Sequence, residues 1–280
     1  VLTPDLLTQL ADAGDDIESA RAIPAVLVAQ LKQRQLFSLL LSSELGGPEM
    51  YYPDYLRVVQ AVASVDGSTG WCVNQGSVLA TLGRLFAPTA GSAVFATHGA
   101  SIANGPPVSA EMHREQGGYR VTGHWQFSSG INHAEWLGGV APLKVDGKTE
   151  KVLWAFFPRE QAEISDSWHT GGLRGTGSHE FRVDNLFVPA EFAIEATTAA
   201  TGPALYQIPM NLLFACGFAC VGLGVSRAAL DFAIKRARSK IKRFDREALA
   251  ASLDVQSQVG RAEALWRSAD SFLHTSVASV

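Results

Sequence analysis

GYRVTGHWQFSSGINHAEW occupies Gly118–Trp136. Its opening run, Tyr119-Arg120-Val121-Thr122, alternates apolar and polar residues, and Gly117-Gly118 precedes it as a turn. Alternation of this kind marks a half-buried strand, because successive strand side chains point to opposite faces. The stretches that follow carry the same signal. Asp146-Gly147, a favoured pair for two-residue hairpins, separates Trp136–Val145 from Val152–Phe157. Phe181, Val183 and Val188 suit a further strand, ended by Pro189. Strand and turn signals run from about Ser101 to about Ala193.

On both sides the pattern turns helical. Thr3-Pro4-Asp5 combines a capping hydroxyl, a proline at the first helical position and an acid at the positive end of the helix dipole. Leu6, Leu10, Ala13 and Ile17 follow at helical spacing. Pro24 opens a second helix with Leu27 and Leu31, and Pro53 a third with Leu56, Val59 and Ala63. Asp66-Gly67-Ser68-Thr69-Gly70 reads as an interruption before a helix from about Trp71 to Phe86. Helix returns after Pro203. Leu230, Ile234, Ala237, Ile241 and Phe244 form one apolar stripe, with Lys235, Arg236, Arg238, Lys240, Lys242, Arg243 and Arg246 on the other faces. A last helix, about Leu253 to Thr275, carries Val259, Leu265 and Phe272. The fold class expected is α+β. An N-terminal α-helical domain covers 1–98, a central small β-barrel domain 99–200, and a C-terminal α-helical bundle 201–280.

Composition narrows the function classes. The formal net charge is −4 over 280 residues, so no basic excess draws the chain to nucleic acid or an anionic membrane. The three cysteines, Cys72, Cys216 and Cys220, form no CxxC pair, and no Cys/His spacing suits zinc, so no metal is expected. They read as buried small side chains in a protein of a reducing cytoplasm. The N-terminus shows no basic-then-apolar leader. Ala196–Ser226 is uncharged, but prolines and glycines interrupt it short of the about 20 apolar residues a membrane helix needs. A buried core or subunit-interface helix is expected there.

Generic catalytic signatures (GxSxG, Walker A, HExxH, GxGxxG after a strand) are not found. Gly171-Gly172-Leu173-Arg174-Gly175-Thr176-Gly177-Ser178 is glycine-rich without a P-loop lysine and reads as a loop whose backbone approaches something closely. Four segments in register resemble the acyl-CoA dehydrogenase superfamily: SELGGPE (Ser43–Glu49), DGSTGW (Asp66–Trp71), GYRVTGHWQFSSGINHAEW (Gly118–Trp136) and WHTGGLRGTGSHEFRVDNLFVP (Trp168–Pro189). FSSG followed by HAEW is more similar to the flavin-dependent monooxygenase branch, the oxygenase components of two-component aromatic hydroxylases.

That resemblance implies FMN or FAD supplied by a separate flavin reductase, a small-molecule aromatic or apolar substrate, and a homotetramer. It places Trp125–Gly130 against the flavin ring. Ser128 or Ser129 would hydrogen-bond flavin N5 and be the catalytic hydroxyl. Trp125, Phe127 and Trp168 would wall the ring, Arg174 would hold a phosphate or the pyrimidine edge, and Ser109 would lie near the flavin phosphates. On the helix after Trp71, where a histidine often faces the substrate, Asn74 or Gln75 stands instead. His133 is expected to be structural. The resemblance also implies further bundle helices after Val280, where a catalytic base would lie. Two other functions remain: an acyl-CoA dehydrogenase oxidising an acyl thioester with FAD, and a flavin-binding protein without turnover.

Overall fold

The computed structural model describes residues 2–196, 202–241 and 247–278. The N-terminal part begins as the capping signal expects. Thr3 Oγ1 accepts from Leu6 N at 3.4 Å, and α1 (Pro4–Asp12) and α2 (Gly14–Ala20) follow, then α3 (Ala25–Gln33), α4 (Tyr52–Ala63), α5 (Gly67–Ala80) and α6 (Pro88–Val94). DGSTG is the start of α5 and not a break before it: the Asp66 carboxylate accepts from Thr69 N at 2.6 Å, capping the helix four residues earlier than its hydrophobic pattern suggests.

The strands are β1 (Ile102–Asn104), β2 (Pro107–Glu115), β3 (Gly118–Ser128), β4 (Trp136–Val145), β5 (Lys148–Pro158), β6 (Glu163–Ser165), β7 (His179–Pro189) and β8 (Ala193–Glu195). They form one eight-stranded sheet in the order β6-β7-β3-β2-β4-β5-β8, with β1 beside β4. Asp146 and Gly147 both have positive φ, 48° and 73°, and close the β4–β5 hairpin as a two-residue turn. The sheet curls on itself. Trp125 of β3 stacks on Phe181 of β7 at 4.9 Å, reaches Phe157 of β5 at 6.5 Å, and donates from Nε1 to Val140 O of β4 at 3.0 Å. Gly123 and Gly139 leave room for its indole, since a Cβ on either would lie under 3 Å from the ring.

The C-terminal part holds α7 (Ala204–Gln207), α8 (Met210–Ser239) and α9 (Leu253–Ala278). α8 runs unbroken through Gly217, Gly222 and Gly224, where the sequence suggested a short helix and then a basic one. Two of these glycines let α8 press on the N-terminal helices. A Cβ at Gly217 would lie 1.8 Å from Asn74 Oδ1 of α5, and one at Gly224 would lie 2.6 Å from Gln60 O of α4. α8 is long and apolar enough to cross a membrane by length and composition alone; here Leu213, Cys220, Val221 and Leu223 are buried in the fold. Phe244, Lys242, Arg243 and Arg246 lie outside the described residues. The stripe expected on α9 is turned outward: Leu265 is 72% and Phe272 76% exposed. Trp266 faces inward instead, donating from Nε1 to Leu223 O at 2.9 Å.

The segment after β3 is pinned from three sides. His133 stacks on Phe37 at 4.3 Å, Lys32 Nζ donates to His133 O at 2.6 Å and pairs with Glu135, and Arg159 Nε donates to Ile131 O at 2.7 Å. Burial, with Lys32 and Arg159 adding to it, pushes the His133 imidazole down to about 3.

Two outcomes follow from this packing. Gly217→Ala forces a methyl into Asn74 and is expected to cost about 1–3 kcal/mol in urea unfolding. Gly222→Ala, which meets nothing within 4 Å, is expected to be neutral or to stabilise by up to about 1 kcal/mol. For His133, the unfolded ring binds a proton below about pH 6.5 while the folded ring stays neutral to about 3. Stability is therefore full above pH 6.5 and falls as pH drops towards 3. Between pH 6.5 and 5 the wild type should lose about 1–2 kcal/mol more than His133→Phe, read from urea midpoints.

Candidate functional site

At the end of β3 the alternation breaks. Trp125 is fully buried in the barrel, and its register with β7 shifts before Ser128. Phe127 takes a left-handed backbone, φ 58°, which is costly for a residue with a side chain. That turn swings its ring outward, 53% exposed, edge-on to Trp168 at 6.0 Å. The expectation for Trp125 is thus corrected: its indole fills the barrel core and cannot wall a ligand, and the aromatic beside the site is Phe127.

The two serines separate in the same way. Ser128 Oγ is sealed inside with no hydrogen-bond partner, close to Gly105, so it does not reach the site surface. Ser129 lies at the rim and joins three elements. Trp71 Nε1 of α5 donates to Ser129 Oγ at 2.9 Å, and Ser129 Oγ lies 2.7 Å from Ser178 Oγ at the start of β7. Ser178 Oγ lies 2.6 Å from Thr176 Oγ1, which donates to Leu173 O at 2.8 Å. Gly130, φ 82°, turns the chain away, and its N–H donates to Thr176 O at 2.9 Å.

On the helical side, Trp71 stacks flat on Phe218 of α8 at 4.4 Å, and Phe218 on Phe214 at 5.8 Å. Asn74, expected in the substrate pocket, is removed from it: its side chain is fully buried, accepts from Tyr55 Oη at 2.6 Å and abuts Gly217. Gln75, the alternative, is half-buried on the same helix. Cys72 and Cys220 are buried, and burial raises the Cys220 thiol to about 12, so it carries no thiolate chemistry at neutral pH.

The loop between β6 and β7 closes the other side. Trp168 Nε1 donates to Leu173 O at 3.0 Å. Arg21, at the end of α2, grips Asp166 through both guanidinium nitrogens at 2.5 and 2.6 Å and donates to Trp168 O at 3.2 Å. That grip holds the Asp166 carboxyl down to about 2. Arg174 is occupied elsewhere, its Nε donating to Glu18 O at 3.0 Å, so it ties the loop to α2 and is not free to hold a ligand. Ser109 is exposed on the outer face of the sheet, paired in register with His124 and lining a groove with Glu111 and Arg182. It is not among the residues gathered around Ser129.

These residues fit a planar cofactor with polar edges. Phe127 offers an exposed ring face and Ser129 a rim hydroxyl, while Gly171 and Gly172 have open space where a side chain would stand. Phe127, Ser129, Gly130 and Trp168 are the groups able to hold a flavin ring. Phe218, Thr176, Ser178 and Arg21 were not singled out from sequence. The signal for the two hydroxyls was the glycine-rich GTGS segment leading into β7, the antiparallel partner of β3.

Comparison with known proteins identifies the family. Residues 216–280 match the family model described as acyl-CoA dehydrogenase, C-terminal domain. An indole-3-acetate monooxygenase of Pseudomonas putida is 30% identical over 267 residues, covering 94% of this chain and 68% of that protein. A flavin-dependent monooxygenase, oxygenase subunit HsaA, of Rhodococcus jostii is 29% identical, covering 85% of this chain and 65% of the relative. Among solved structures, XiaF from a Streptomyces species, in complex with FADH2 and glycerol, aligns with a TM-score of 0.89 at 26% identity, over 98% of this chain and 74% of that one. The chain belongs to the flavin-dependent monooxygenases of the acyl-CoA dehydrogenase superfamily, and it is an enzyme whose cofactor is a flavin, FMN or FAD.

Proposed function

We propose that the chain is the oxygenase component of a two-component monooxygenase that hydroxylates a small aromatic substrate with O2, using flavin delivered in reduced form by a separate reductase. One observation carries the reading: Trp71, stacked on Phe218, also donates to Ser129, so an apolar aromatic wall and the flavin-side hydroxyl share one indole. Reduced flavin supplies the electrons that activate O2. The protein's own residues do the rest. Phe127 and Trp168 would hold the ring by its faces and edges. Ser129 would hydrogen-bond its N5. Trp71, Phe218 and Phe214 orient a flat apolar substrate and exclude water. Relatives whose names specify indole-3-acetate and resorcinol support an aromatic of about that size.

The homotetramer expected from the resemblance, and the cytoplasmic location expected from the cysteines, belong to the same proposal. Leu212, Val225 and Phe232 of α8, with Leu265 and Phe272 of α9, are exposed apolar side chains suited to burial between subunits.

The reading is tested by adding oxygen to the protein with anaerobically reduced FMN or FAD and indole-3-acetate or a phenol. Hydroxylated product, formed up to about one per reduced flavin, is expected. Bleaching of bound oxidised FAD by an acyl-CoA would overturn the proposal in favour of a dehydrogenase. Tight flavin binding with neither response would leave a binding protein without turnover. Phe127→Ala is expected to weaken flavin binding about tenfold in a fluorescence titration. Its unfolding free energy should change by no more than about 0.5 kcal/mol, because the ring is largely exposed.

A further inference from the structure

The hydroxyls of Ser129, Ser178 and Thr176 form a chain that ends on a carbonyl. Its oxygen–oxygen separations are 2.7 Å for Ser129–Ser178, 2.6 Å for Ser178–Thr176 and 2.8 Å for Thr176–Leu173 O. At such distances each contact needs one proton between its oxygens. Without it, two sets of lone pairs face one another. There are three contacts and three hydroxyl protons, and the carbonyl has none to give. Only one assignment fills every contact: Thr176 donates to Leu173 O, Ser178 to Thr176, and Ser129 to Ser178. The Trp71 indole N–H, which can only donate, takes one lone pair of Ser129 at 2.9 Å. Ser129 has then used its proton and one acceptor position. It has a single acceptor position left.

Flavin N5 reverses its role with oxidation state. Oxidised, it carries no hydrogen and can only accept; reduced, it carries one and donates. We propose that Ser178 and Thr176 are positioning residues that fix Ser129 as a hydrogen-bond acceptor, so that this site selects reduced over oxidised flavin. The inference rests on the placement of flavin N5 at Ser129 proposed above. A buried acceptor rejects a partner that lacks the proton it needs, because both groups then lose water without gaining a bond. Ser129 itself is 7% exposed, and Thr176 and Ser178 behind it 2% and 4%, so the three residues leave water little access to the mismatched hydroxyl.

The test titrates the full chain with FMN and with FAD. Oxidised flavin is followed by its fluorescence, and dithionite-reduced flavin anaerobically by tryptophan fluorescence. The wild type is expected to bind the reduced form about tenfold more tightly. Ser178→Ala frees the Ser129 proton to point at N5, and should cut that ratio about fivefold. Thr176→Val should do the same, because Ser178 then donates to Ser129. Its shape is conserved, so it answers the question even if Ser178→Ala does not fold. Trp71→Phe keeps the hydroxyl order and should leave the ratio within about twofold. Equal affinities in the wild type, or a ratio unmoved by both Ser178→Ala and Thr176→Val, would overturn the inference. Failure to bind flavin in either state would overturn the flavin placement beneath it.

Discussion

A strand that buries one side chain and exposes the next does so without cost; a strand that must change its facing within three residues needs a backbone distortion. β3 makes such a change between Trp125 and Ser129. The left-handed turn at Phe127 moves an aromatic ring from the barrel to its rim and brings Ser129, two residues on, against α5. The candidate site depends on that distortion. Without it Phe127 would not present its ring, and Trp71 would have no hydroxyl to meet. The strain is held by the surroundings. Gly130 bonds to Thr176 O, and the residues beyond it are fastened by Lys32, Arg159 and the ring of His133 on Phe37.

The site is therefore composite. The barrel supplies Phe127 and Ser129, the β6–β7 loop supplies Trp168, and the helices supply Trp71 and Phe218. These parts come together only because α8 lies close against α4 and α5 at Gly217 and Gly224. α5 is fixed at its start by Asp66, so Trp71 sits one turn into a capped helix, where its indole has little freedom. Arg21 joins the loop to α2 through Asp166. Four stretches far apart in sequence thus hold one aromatic cluster.

Much of this was legible in the residues. The Asp146-Gly147 turn, the Thr3 cap and the strand after Gly118 follow from local chemistry, and local chemistry survives folding. The four motifs in register pointed to the flavin. What failed was orientation. Trp125 and Phe127 have the same parity along the strand and would face the same way, and no local signal announces that Phe127 takes positive φ. Asn74 lies on the right helix, but its fate is decided by Gly217, more than a hundred residues later. Leu265 and Phe272 fit a helical stripe, yet which side of α9 meets α8 was set by Trp266. Phe218 was hidden because an apolar residue in an apolar helix carries no mark of facing a cleft.

The indole of Trp125 has a consequence of another kind. It plugs the barrel, hydrogen-bonded to Val140 O and accommodated by two glycines, so nothing can bind inside. Chemistry is confined to the rim and to the helices facing it. Interior and rim are thereby separable under selection. Substitutions at Phe218, Phe214 or the β6–β7 loop can change what is bound without disturbing the plug about which the sheet curls. A scaffold divided in this way can diversify its substrates while its framework drifts slowly, which suits a fold shared by proteins that take differently shaped aromatic molecules.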